Sequence, residues 1–382
     1  MSQTIRVLVV DDSALMRHRL STILGGTPGY EVVGTASNGN ECLFQLRALR
    51  PDVITMDVEM PGLGGLETLR RIMGEHATPV IMVSSLTDSG ARTTLDALSL
   101  GAVEYLAKPS IQGREAQAAF AQELLHKVGI AARIPMRQIT RQMTTVSPLP
   151  ATPSVAPILR PAPPPARPTP ADAAKPTTAF SARRTADGPL VLIGSSTGGP
   201  QALDYLLTNL EHDLPASFLI VQHMPPLFTQ SLAARLARRS GIETREIQED
   251  DEPRPDLMLL APGGYHATLG SDHRLHLDQT DPVHGVRPAI DRTLISLSEY
   301  WTGPCLVVIL TGMGVDGTDG TRAMHRRGAR IYAQDENTSI VYGMPRSVAE
   351  AGLATAILPL EKMSGAISQW AKNAAPAMAG RV

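Results

Sequence analysis

Two sets of residues in this chain have types and spacings suited to covalent chemistry. The first is acidic. Asp11 and Asp12 end the apolar run IRVLVV, and Asp57 ends the run VITM. If both runs are strands of one open parallel sheet, the three carboxylates converge outside its carboxyl edge, where such sheets bind ligands. Like charges that close raise one another's pKa unless a cation neutralises them. An all-oxygen cluster suits Mg²⁺, which also bridges phosphoryl oxygens. Lys108, at the end of a further apolar run, offers a point charge to a phosphate, and Ser84, after VIMV, offers a hydroxyl. One aspartate at a strand end reads as a turn or helix cap. Five such residues over four strand ends read as a site that accepts a phosphoryl group on Asp57.

The second set centres on Ser196 in GSSTGGP, Gly194 to Pro200. The string matches G-x-S-x-G, with a strand before it, glycines that permit a sharp turn and a proline placed for the first turn of a helix. Backbone amides at such a helix start favour developing negative charge. The motif by itself also fits a phosphate-binding glycine turn. A base is offered by His223, which ends the next apolar run, FLIVQ, ahead of Pro225 and Pro226. Asp316, in LTGMGVDG, could orient that histidine and stabilise its imidazolium, although it could equally cap a helix. Gly312 and Gly314 would let backbone amides, Met313's among them, face an oxyanion. Thr197, next to the serine, is a second supporting candidate. The order Ser196, His223, Asp316 argues against an α/β-hydrolase, in which the acid precedes the histidine. There the pair would be something like Asp281 and His325, and His325 falls inside a helical pattern.

The positioning elements read as α/β throughout. Strands are expected at Ile5–Val10, Val53–Met56, Val80–Val83 and Tyr105–Ala107, with helices at Ala14–Leu24, Leu66–Met73, Arg92–Leu100 and Ala116–Leu125. Nearly continuous apolar strands interleaved with helices imply a doubly wound parallel sheet covered on both faces. The pattern repeats later. Strands are expected at Leu190–Ile193, Phe218–Gln222, Leu257–Ala261, Cys305–Leu310 and Arg330–Ala333. The matching helices are Pro200–Leu210, Thr229–Arg239, Ala289–Tyr300, Asp316–Arg327 and Met344–Ala351. His266–Leu277 alternates like a β-hairpin around Gly270–His273.

At 382 residues the chain is long for one core. Residues 147–176 hold 11 of the 31 prolines, which marks a semi-rigid tether. The expected division is therefore 1–127, a linker at 128–188, and 189–382. The linker region has eight Lys/Arg against two acids, so the folded parts are acidic within a net charge of −2. That balance gives no footprint for nucleic acid. Cys42 and Cys305 sit in apolar surroundings and read as buried small hydrophobes. No charged leader or long apolar run is seen, so no membrane insertion and a cytoplasmic location are expected.

Asp11-Asp12, Asp57, Ser84, Tyr105 and Lys108-Pro109 together resemble the signature of bacterial response-regulator receiver domains. The resemblance implies a flavodoxin-like fold and phosphorylation of Asp57 by a histidine kinase. It also implies Mg²⁺ held by Asp12, Asp57 and the Glu59 carbonyl, with Asp11 assisting through water, and a Ser84/Tyr105 switch that reports the phosphoryl group to one face. GLGG, Gly62 to Gly65, departs from the many receivers with an aspartate before the last glycine. SSTGGP, QHMP and LTGMGVDG, with APG (Ala261 to Gly263), RPAID (Arg287 to Asp291) and GMP (Gly343 to Pro345), resemble the chemotaxis protein-glutamate methylesterases. Ser195 stands where alanine is common, leaving two adjacent serines to choose between; Ser196 precedes Thr197-Gly198-Gly199 and is preferred. The resemblance implies hydrolysis of glutamate γ-methyl esters on the cytoplasmic helices of chemoreceptors, deamidation of receptor glutamines, and no cofactor for the esterase step. It further implies inhibition by the unphosphorylated receiver. The rival from another class is a receiver joined to a module that only binds nucleotide or DNA. No helix-turn-helix pattern favours it, and Ser, His and Asp at three strand ends argue against it.

Overall fold

The computed structural model describes residues 4–108, 113–136, 188–255 and 257–375. The proline-rich stretch 147–176 and Pro109 lie outside the described residues. In the first unit, β1 (Ile5–Val10), α1 (Ala14–Gly25), β2 (Tyr30–Ala36), α2 (Gly39–Leu49), β3 (Val53–Asp57), α3 (Gly65–Glu75), β4 (Val80–Ser84), α4 (Asp88–Ser99), β5 (Glu104–Ala107) and α5 (Arg114–Ala131) alternate along the chain. All strand pairings are parallel, in the order β2-β1-β3-β4-β5. The mainly apolar strands β3 and β4, and Val7–Val10 of β1, are buried on both faces, as covered parallel strands must be. Strand order reverses between β1 and β3, and the crevice at their carboxyl ends is therefore where Asp11 and Asp57 emerge. Ser13 caps α1, its hydroxyl accepting the Met16 amide at 3.3 Å. Helix α5 continues past position 127, and Val128, Ala131 and Ile134 are buried beside Phe120 and Leu124.

The second unit begins with β6 (Leu190–Ser195), α6 (Gly199–Thr208), β7 (Ser217–Gln222), α7 (Phe228–Ser240), β8 (Glu243–Glu246) and β9 (Leu257–Leu260). The expected hairpin follows as β10 (His266–Leu269) and β11 (Leu275–Asp278), antiparallel, with His266 opposite Asp278. Then come α8 (Ile290–Tyr300), β12 (Cys305–Ile309), α9 (Thr318–Arg326), β13 (Arg330–Gln334), α10 (Met344–Glu350), β14 (Ala356–Leu358) and α11 (Leu360–Ala374). The seven-stranded parallel sheet runs β14-β13-β12-β6-β7-β9-β8. Here β6 is flanked by β7 on one side and β12 on the other, so the topological switch lies at the end of β6, where Ser196 follows.

Strands β2, β8 and β14 and helices α2 and α11 go beyond the elements expected from the sequence. All three strands lie at sheet edges, where one side meets solvent and polar residues are tolerated. β8 reads ETRE, with no apolar run to announce it. In α2 the buried stripe is only Gly39, Cys42 and Leu46, while Phe44 faces out. Helix α11 does carry a helical period in Leu360, Met363, Ile367 and Ala371.

The units pack through α4 and β5 of the first against α6 and α7 of the second. Tyr105 stacks on Phe228 with ring centroids 4.5 Å apart and planes 11° from parallel. Buried Arg235 joins them by charge: its Nε donates to Asp204 at 2.8 Å and one terminal nitrogen to Asp96 at 2.6 Å. Gln201 donates to the carbonyls of Leu98 and Ala102, both at 3.1 Å. Among the described residues no helix is long and apolar enough to cross a membrane. Both cysteines are buried free thiols pushed up to about 12 by burial.

Candidate functional site

At the carboxyl edge of the first sheet, Asp11 and Asp57 are buried and Asp12 is exposed, with oxygens of all three within 4.8 Å of one another. Lys108 Nζ lies 2.8 Å from Asp57 Oδ2 and 3.1 Å from Asp11 Oδ2. Burial, reinforced by Asp11, lifts the Asp57 carboxyl to about 6 in spite of Lys108. Burial also works against the charge on Lys108, but the two carboxylates outweigh it and hold its pKa above the ordinary value. Lys108 is the one cation paired with Asp11 Oδ2 and Asp57 Oδ2 among the described residues. A hard divalent cation is the ligand such an oxygen set suits, so Mg²⁺ fits the residues present. Glu59 follows in the loop, its amide 3.4 Å from Asp57 Oδ1. Behind it, Gly65 passes so close that an added Cβ would stand 2.2 Å from the Asp57 carbonyl, which explains glycine at that point of GLGG. Ser84 is buried at the end of β4, its hydroxyl donating to the Ser85 carbonyl at 3.3 Å.

Tyr105 is far from idle. Its ring is wedged between Phe228 and the Lys127 ammonium, which lies 4.9 Å from the ring centre. Burial, then Glu104, raises its hydroxyl pKa well above the ordinary value. The face expected to report phosphorylation is thus the face packed on the second unit.

At the carboxyl edge of the second sheet, β6 delivers both serines, and the structure separates them. Ser195 is wholly buried, its hydroxyl donating to Gln222 Oε1 at 2.7 Å. Ser196 turns into a cleft of about 560 Å³ that His223 and Met313 also line. The Ser196 backbone is fixed on every side: its amide donates to Thr311, and its carbonyl accepts from Gly199 and from Gln222 Nε2. Gly312 approaches so closely that a Cβ there would sit 2.8 Å from Ser196 Cβ. His223 Nε2 meets Asp316 Oδ2 at 2.7 Å. Asp316 also accepts the amides of Ile290 at 2.7 Å and Asp291 at 3.0 Å, at the start of α8. Burial disfavours its charge, but His223 and those two amides overcome the cost and hold its carboxyl below the usual range. Asp316 precedes α9 without capping it: the N-cap is Gly317, with no side-chain bond.

The amides can be accounted for one by one. Those of Ser196 and Gly312 are spent on Thr311 and Val341. Thr197 and Met313 both line the cleft beside Ser196. The Thr197 hydroxyl is occupied from across the interface, donating to Glu104 Oε2 at 2.6 Å. Glu104, Tyr105, Glu123, His126 and Lys127 of the first unit form one wall of the cleft that holds Ser196. His325 sits in α9, away from these groups.

Sequence reasoning missed Gln222 as the residue that orders both serines. Its place beside His223 in QHMP was the available signal. It also missed Asp291, visible only as the last letter of RPAID.

Comparison with known proteins agrees with this layout. The response regulator receiver domain family matches residues 7–119, and the CheB methylesterase family matches residues 191–367. A protein-glutamate methylesterase/protein-glutamine glutaminase of Symbiobacterium thermophilum is 44% identical, with 96% of each chain covered. One of the same name from Thermotoga maritima is 41% identical, covering 94% of this chain and 97% of its own. Among solved structures, the Thermotoga maritima CheB methylesterase catalytic domain is 41% identical over 48% of this chain and 99% of that one, with a TM-score of 0.47.

Proposed function

The chain belongs to the family of receiver-linked CheB methylesterases, the protein-glutamate methylesterase/protein-glutamine glutaminases, and from that premise we propose that it is a phosphorylation-activated serine esterase acting on chemoreceptor glutamyl esters. One observation carries the chemistry: Ser196 faces a cleft shared with His223, whose Nε2 is held by a buried carboxylate.

With Nε2–H donated to Asp316, Nδ1 is the ring nitrogen left to act as base. Ser196 Oγ attacks the γ-carbonyl of a glutamate methyl ester as Nδ1 takes its proton. The amides of Thr197 and Met313 receive the developing oxyanion, and Asp316 stabilises the imidazolium. That imidazolium then protonates the leaving oxygen, releasing methanol and a glutamyl-serine ester. Water, deprotonated by His223, cleaves the ester and restores the serine. A glutamine amide would follow the same path with ammonia as the leaving group. General base assistance contributes about 10²–10⁴-fold and each oxyanion donor about 10²–10³-fold.

Asp57 is the proposed acceptor of phosphate from a histidine kinase. Mg²⁺ would be held by Asp12, Asp57 and the Glu59 carbonyl, with Asp11 through water, and would neutralise phosphoryl oxygens there. Lys108 would exchange a carboxylate partner for the phosphate. In the arrangement described, residues of β5 and α5 cover part of the Ser196 cleft and Glu104 ties up Thr197, which supports autoinhibition by the unphosphorylated receiver. Phosphorylation must then stabilise a receiver state that binds this surface less well. The division into receiver, tether and catalytic domain near positions 127 and 189 serves this release. Methanol release from methylated receptor membranes, with Asp57 phosphorylated or not, tests the proposal. No release from either form, or equal release from both, would contradict it.

A further inference from the structure

Asp291 has no role in the steps above, yet it is 3% exposed and its carboxylate lies within 4.8 Å of that of Asp316. Two buried carboxylates at that range repel, and a neutral residue would cost less at position 291 unless the charge has a use. Resting on the assignment of Ser196, His223 and Asp316, we infer that Asp291 is a positioning residue that fixes Asp316 against His223 and supports the imidazolium with its own negative charge.

The geometry is specific. The Asp291 amide donates to Asp316 Oδ1 and the Ile290 amide to Oδ2, the same oxygen that meets His223. The carboxylate is therefore pinned at both oxygens and cannot turn away from the ring. Asp291 Oδ1 in turn accepts the Gly320 amide at 2.7 Å, which ties the start of α8 to the first turn of α9. Asp316 enters α9, so this bond sets the height of the segment that carries it. Asp291 Oδ2 faces His284 Nε2 at 3.3 Å, on a turn that also lines the cleft. The titratable groups facing Asp291 are thus Asp316, Asp319 at the start of α9, and His284.

The pair divides its charge unequally. Asp316 is anionic because His223 and two amides favour it, whereas burial and then Asp316 push the Asp291 carboxyl well above the usual range. Asp291 therefore becomes anionic only as neutrality is approached, and its support of the imidazolium grows with pH.

Asp291→Asn keeps an oxygen for the Gly320 amide and the backbone donors to Asp316, and removes only the charge. The test is methanol release by full-length, Asp57-phosphorylated protein from methylated receptor membranes. The ratio of wild-type to D291N kcat/KM is expected near one at about pH 5, rising to roughly tenfold at about pH 8. Asp291→Ser, a second neutral acceptor, should follow the same trend if D291N folds poorly. A ratio independent of pH, whatever its size, would reduce Asp291 to scaffolding and overturn the inference. Absence of methanol with the wild type would instead remove the esterase assignment on which it rests.

Discussion

Asp316 lies 93 residues beyond His223, and its Oδ2 meets the ring Nε2 at 2.7 Å while accepting the Ile290 amide at the same distance. One oxygen thus joins the imidazole to a helix start, so ring orientation is set by the packing of α8 rather than by the loop carrying the histidine. Asp316→Asn should lower kcat by about 10²–10⁴-fold, since an amide can neither hold the required tautomer nor balance the imidazolium. Steady-state methanol release measures it. A loss below about threefold would mean that Asp316 serves the fold alone.

The two serines give opposite expectations. Ser196→Ala should abolish ester hydrolysis and leave phosphorylation of Asp57 intact. Ser195→Ala removes one hydrogen bond to Gln222, worth about 1 kcal/mol, and should keep activity within roughly tenfold. Methanol release paired with radiolabelled phosphate incorporation separates the two, and retained turnover by S196A would sink the nucleophile assignment.

The acidic site should show its strain in a pH titration of stability. A carboxyl raised in the folded state binds more protons folded than unfolded, so it disfavours folding as pH rises from near 4 through the folded value of about 6. Removing that charge with Asp57→Asn should stabilise the metal-free protein above this window by up to about 3 kcal/mol. Below about pH 4 the gain should vanish, because the carboxyl is then protonated in both states. Urea melts in chelator read this. Mg²⁺ should then stabilise the wild type more than the variant, since the variant lacks one ligand.

Arg235 is 6% exposed and bridges Asp204 of its own unit to Asp96 of the receiver-like unit. Reversing the exposed end with Asp96→Arg sets two guanidinium groups together without uncovering a buried charge. Like-charge contacts at an interface cost up to several kcal/mol, so the unphosphorylated protein should gain at least about tenfold in basal methanol release. Phosphorylated activity should change little. Unchanged basal activity would show that this contact does not restrain the esterase.

The sequence by itself determined the strands that matter and which polar residues follow them. Buried parallel strands must be continuous apolar runs, and each run stops where a polar residue meets the edge of the sheet; Asp57, Ser196 and His223 are placed that way, and Asp316 lies in the glycine loop that follows β12. The hairpin at His266–Asp278 was equally local, an alternating pattern about a turn. Edge strands such as β8 were not, because half their surface is solvated and their place depends on a partner strand supplied from elsewhere. Only the tertiary structure decided which of two adjacent serines enters the cleft, since Ser195 is taken by Gln222 27 residues away. It likewise decided that Asp291 stands behind Asp316, and that Glu104 and Tyr105 of one sheet sit over Ser196 of the other. Those are contacts between distant chain segments, fixed by how two helices or two sheets pack, and no local period records them.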